Sequence, residues 1–123
     1  MASFIERRRR RTQDRDLALR YQIEHARLTG RLEALVLADD SGLPLAYAGD
    51  DAVCEELAAM APFLNRTVMP MPMSPLLRGA DVAVRTVRVH GMSLHLASIG
   101  GTVARDALLA SSLRGVERIL ASN

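Results

Sequence analysis

The chain has 123 residues, enough to bury one core and too few for two, and 49% of them are hydrophobic, as in a globular domain. Aromatic residues make up only 3% and Trp is absent, so Leu, Val, Ala and Met must fill the interior, and no platform for stacking a cofactor or a base is visible. The formal charge of +2 is unevenly distributed: Arg7, Arg8, Arg9, Arg10 and Arg11 are consecutive, the remainder is slightly acidic, and every basic residue is Arg rather than Lys.

A single cysteine, Cys54, cannot form an internal disulfide. No apolar segment follows the basic N-terminus, as a secretory signal requires, and no run has the length of a membrane span. These features point to a cytoplasmic protein whose membrane association, if any, is peripheral.

In chain order, residues 1–11 read as a flexible basic arm and residues 12–123 as one domain. Thr12 is a candidate N-cap for a helix reaching Thr29. At about 100° per residue, Leu17, Tyr21 and Leu28 fall on one face and Leu19, Ile23 and Ala26 nearly opposite, with Asp16, Arg20, Glu24, Arg27 and Arg31 between them. A surface helix of a monomer needs one apolar face. The second is expected to meet another helix of the domain or a partner chain.

Leu32 to Ala38 is an apolar run with one charge, suited to a strand covered on both sides. Asp39-Asp40-Ser41-Gly42 makes a turn, and Leu43 to Ala48 a second strand of a hairpin. Gly49-Asp50-Asp51 supplies the cap and first-turn carboxylates of a helix with a stripe at Val53, Leu57, Met60 and Leu64, which Pro62 should kink or end. Residues 65–81 contain Pro70, Pro72, Pro75 and Gly79 and suit an extended connection with at most an edge strand.

Val82 to Val89 is strand-like, and a two-residue turn at His90-Gly91 would place Val87, Val89, Met92, Leu94 and Leu96 on one face. Thr86, Arg88, Ser93 and His95 then share the other, polar face. Thr102 is a candidate cap for a last helix with a stripe at Leu109, Leu113, Val116 and Leu120, in which Gly115 suggests close backbone packing. Hairpins in place of βαβ crossovers imply an α+β fold, an antiparallel sheet of four to five strands with helices laid on it.

The segment from Leu32 through Asp39-Asp40-Ser41-Gly42 to Ala46, followed by an alanine-rich helix, resembles the opening hairpin of the roadblock (dynein light chain) family, in its bacterial small-GTPase-associated type. The resemblance covers roughly residues 14–121 and rests more on element order than on any single residue. It implies first and last helices on one sheet face and the middle helix on the other, as in related profilin-like folds. It also implies homodimers formed through the middle helix and the following strand, and binding to small Ras-like GTPases. Carried onto this chain, the dimer surface would involve Leu57, Met60, Leu64, Val82 and Val84. The arginine run, Pro62 and the Met-Pro segment depart from the family's pattern.

Catalytic motifs are lacking. His25, His90, His95 and Cys54 do not have metal-ligand spacings. Ser41, Ser111 and Ser112 have no nucleophile-elbow context. Gly100-Gly101-Thr102 fits a helix start better than a phosphate loop. Met69, Met71 and Met73 have thioether spacing that could hold Cu(I), although Met also serves adaptable apolar surfaces. Side chains within the pairs Asp39-Asp40, Asp50-Asp51 and Glu55-Glu56 diverge, so no acid/base dyad is indicated. No enzymatic activity, metal or cofactor is expected. Two classes of function remain: a homodimeric regulator or scaffold for a small GTPase, and an adaptor that binds nucleic acid or acidic membrane weakly and non-specifically through Arg7 to Arg11.

Overall fold

The computed structural model describes residues 4–64, 75–77, 79–101 and 105–121. They form helix α1 (Phe4–Gly30), strands β1 (Leu32–Asp39) and β2 (Pro44–Ala48), helix α2 (Asp51–Leu64), strands β3 (Val82–Val89) and β4 (Met92–Gly100), and helix α3 (Arg105–Ala121). The strands make one antiparallel sheet in the order β2-β1-β4-β3. α1 and α3 cover one face and α2 the other, the α+β arrangement anticipated from the two hairpins. No fifth strand occurs among the described residues, and Met69 to Met73 and Thr102 lie outside them.

Side-chain alternation along β1 and β4 divides the core in two. Leu35, Leu37, Leu94 and Leu96 face α1 and α3, where Leu19, Ile23, Leu109, Leu113 and Val116 close over them. Ala34, Val36, Ala38, Ala97 and Ile99 face Cys54, Leu57, Ala58 and Ala61 of α2. β1 is apolar on both sides, which is why it reads as an almost unbroken hydrophobic run.

α1 begins at Phe4, so Thr12 is not its cap and Arg7 to Arg11 lie on the helix instead of on a preceding arm. Arginine is a good helix former and nothing in the run breaks a helix, so the α-conformation propagates through it. The two-faced reading of this helix holds: Leu19, Ile23 and Ala26 are buried, while Leu17, Tyr21 and Leu28 are exposed.

α2 is capped as expected, with the Val53 N–H donating to Asp50 Oδ1 at 3.0 Å. Two features differ from the sequence reading. The helix continues two residues past Pro62, which forgoes the bond a backbone N–H there would give to the Ala58 carbonyl. Its buried face is Cys54, Leu57, Ala58, Ala61 and Pro62, whereas Val53, Met60 and Leu64 are only half-buried. Small residues on both the helix and the sheet allow a close approach, and the larger apolar side chains are turned to the flank.

The second hairpin has the expected register, with Val89 opposite Met92, Val87 opposite Leu94 and Arg85 opposite Leu96. His90 and Gly91 both have positive φ, 51° and 80°, as a type I′ turn demands. Gly115 of α3 meets α1 closely: a Cβ there would lie 2.8 Å from Gln22 Cδ.

Gly49, between β2 and α2, is the most constrained glycine. Its φ is +126°, and a Cβ would sit 2.9 Å from the Glu33 carbonyl oxygen and 3.1 Å from Ala34 Cα, both rigid backbone of β1. Gly49→Ala is expected to destabilise the fold by about 2 kcal/mol or more in urea unfolding. Gly115→Ala, which meets only the mobile end of Gln22, should cost clearly less.

Candidate functional site

β3 is an edge strand, paired only with β4 among the described strands. Its register puts Val82, Val84, Thr86 and Arg88 on the α2 side, opposite Ile99, Ala97, His95 and Ser93. α2 packs chiefly over β1, β2 and β4, so this side of β3 has little helix above it. Val82 and Val84 are half-buried in consequence, and with Met60 they fringe the alanine-rich cluster beneath α2. Leu64, at the end of α2, is half-buried too. Three of the five residues expected at a partner surface, Met60, Val82 and Val84, thus form an apolar strip beside an edge that no strand but β4 pairs among the described residues. Leu57 does not belong to it: the side chain is fully buried against its own sheet and can touch no partner.

Further along the same face lies a polar network that the sequence reading missed. His95 is 1% exposed. Its Nδ1 lies 2.9 Å from Thr86 Oγ1 and its Nε2 lies 2.9 Å from Asp40 Oδ1. With the Nε2–H donating to the carboxylate, Nδ1 accepts the threonine hydroxyl, and each ring nitrogen is satisfied. The ring joins the turn after β1 to β4 and to the edge strand β3. Asp39 is also engaged: its Oδ1 accepts the N–H groups of Ser41 and Leu43, an Asx arrangement that shapes the turn. Asp39, Asp40, Arg88 and Met92 border an open cleft of about 460 Å³. No group of three or more His, Cys, Asp or Glu among the described residues could hold a metal ion.

No family model matches the sequence, and no curated protein matches it. Among solved structures, the chain is similar to Myxococcus xanthus MglB, over 88% of this chain and 93% of that one, at 12% identity and a TM-score of 0.57. The fold is of the roadblock type.

On this roadblock-type frame the arginine run occupies the first turns of α1. Arg9 and Arg10 are exposed, and the side chains of Arg7, Arg8 and Arg11 lie outside the described residues. No described helix is long and apolar enough to cross a membrane. At the opposite edge of the sheet, the Tyr47 hydroxyl donates to Asp51 Oδ1 at 3.1 Å, which raises the phenol's pKa.

Cys54 sits in the layer between α2 and the sheet, and its thiol donates to the Ala48 carbonyl at 3.5 Å. Burial, with the nearby Asp50 carboxylate, pushes the thiol above its ordinary value of 9.0. The roadblock-type fold thus favours the neutral thiol. The associated stability is present below that ordinary value and is lost as pH rises through the raised one. Iodoacetamide at mildly alkaline pH should alkylate Cys54 at least about tenfold more slowly in the native protein than in urea.

His95→Ala removes two hydrogen bonds and leaves a void. It is expected to cost about 1–3 kcal/mol in urea unfolding, and Thr86→Val a smaller amount because Thr86 is exposed.

Proposed function

We propose that this chain is a homodimeric, non-enzymatic regulator or scaffold that binds a small Ras-like GTPase. The observation that carries the reading is the strip of Met60, Val82 and Val84 beside the edge of β3 that no second described strand pairs. A second copy joined along β3 would continue the sheet, satisfy the edge's backbone groups and cover the strip. The GTPase partner is supported by the resemblance to the roadblock family, whose members bind such GTPases, and by the likeness of fold to MglB.

The dimer's contribution to the GTPase is contact and shape. It binds the GTP-bound state and orders the partner's own switch residues, so any acceleration of hydrolysis uses the partner's groups. An arginine finger must be held rigidly toward the nucleotide. Arg88 instead donates to the Gly91 carbonyl of its own hairpin at 3.0 Å, and Arg85 lies on the opposite face of β3 from the strip. The exposed Arg9 and Arg10 favour a second reading, an adaptor for polyanions.

Light scattering at micromolar concentration should give at least a dimer, and Val84→Glu should weaken it. A monomeric wild-type protein overturns the reading. Capture from native extract should retain a GTPase with a GTP analogue and much less with GDP. Changing Arg7 to Arg11 to Gln should leave that capture intact and abolish binding to a DNA column, whereas loss of GTPase capture would favour the adaptor. In single-turnover hydrolysis, Arg85→Ala and Arg88→Ala should keep the rate, while a loss of about a thousandfold with binding intact would reveal a finger.

A further inference from the structure

The outer face of α1 carries three large apolar side chains that no described residue covers. Leu19, Ile23 and Ala26 point into the core, and Leu17, Tyr21 and Leu28 point away from it, 45%, 62% and 71% exposed. The outward line reads Asp14, Leu17, Tyr21, Glu24 and Leu28, spaced alternately by three and four residues, and it ends there, because α1 stops at Gly30 and Arg31 turns away with a positive φ of 53°. That is the spacing of a coiled-coil seam, and burial in the monomer does not require it.

We propose that α1 pairs antiparallel with α1 of a second copy along this line, through a surface separate from the β3 edge. In a parallel pair each seam residue would face its own copy, setting Asp14 on Asp14 and Glu24 on Glu24. In the antiparallel register that places Leu17 against Leu28, Tyr21 meets Glu24. Every layer from Leu17 to Leu28 is then apolar or a phenol–carboxylate hydrogen bond. Arg20 flanks the seam with Asp16 and Glu24 one turn away on either side, a spacing that moderates its repulsion from the partner's arginines.

The charge distribution of the whole domain agrees. α1 ends where β1, α2 and α3 begin, and among the described residues the carboxylates gathered at that end, Glu33, Asp50, Asp51, Asp81 and Asp106, outnumber its arginines, Arg27, Arg31 and Arg105, the last of which pairs with Asp81 at 2.9 Å. Gly30 packs on Leu108 and Gly115 on Gln22, so α1 and α3 run antiparallel and the first turns of α1 extend past Ala121. Antiparallel pairing directs each arginine-bearing stretch toward the partner's acidic end. A parallel pair would bring the two stretches together. An anionic bilayer suits the arginines but not Asp14 and Glu24, which lie within the apolar line.

The test is disulfide trapping. Positions 17 and 28 are about 16 Å apart along one helix, too far to bridge within a chain, and Cys54 is buried. The Leu17→Cys/Leu28→Cys variant, oxidised and mapped by mass spectrometry, should give 17–28 links between chains. Links of 17 to 17 and 28 to 28, or none, overturn the proposal. Sedimentation should show Leu17→Arg/Leu28→Arg halving the mass of the largest species. An unchanged mass in the double-arginine variant overturns the pairing, as does co-flotation with phosphatidylserine vesicles that Leu17 and Leu28 alone sustain. The Val84→Glu protein should still form the 17–28 link, so failure at the β3 edge and failure at α1 are told apart.

Discussion

Everything else in the molecule hangs on the pairing of β1 with β4, because these two strands carry both cores. Each contributes leucines to one face and mainly small residues to the other, so the sheet has a deep layer under α1 and α3 and a shallow one under α2. The shallow layer brings α2 down onto β1 and β4 and draws it away from β3. Among the described residues, an apolar flank and a sheet edge are left beside it. That flank is a by-product of how alanine is distributed, which seats the helix and limits its reach.

The parts of this fold that were legible in the sequence are those fixed by short-range geometry. Val89 and Met92 meet because a two-residue turn permits one register, and the alternation of Val87, Leu94 and Leu96 follows from it. Asp50 announces the start of α2 because its carboxylate must find a backbone donor three residues on. The two faces of α1 are visible because leucine and isoleucine recur at helical spacing on opposite sides.

What was not legible depends on contacts between distant segments. Met60 and Leu64 outrank Ala58 and Ala61 in hydrophobicity, so the stripe read along α2 ran through Val53, Leu57, Met60 and Leu64, and only the alanine surface of the sheet turns Ala58 and Ala61 inward. Leu57, taken for a partner contact, is enclosed by that choice. Five arginines in a row resemble a disordered tail by charge, yet their helix propensity lets α1 run through them. The pairing of Thr86 with His95 followed from the hairpin register, but nothing local identifies Asp40, 55 residues away from the histidine.

That histidine has a mechanical meaning. A free edge strand is ordinarily the most compliant part of a sheet, held by one neighbour only. Here β3 is also braced from below: the ring of His95 is a rigid strut whose two ends are fixed by Thr86 and Asp40. A displacement of β3 reaches the turn between β1 and β2 through the Thr86 hydroxyl, the flat ring and the Asp40 carboxylate. The edge and the turn at the far end of the next strand but one are joined by this side-chain link as well as by the backbone ladder, so a movement of one bears on the other.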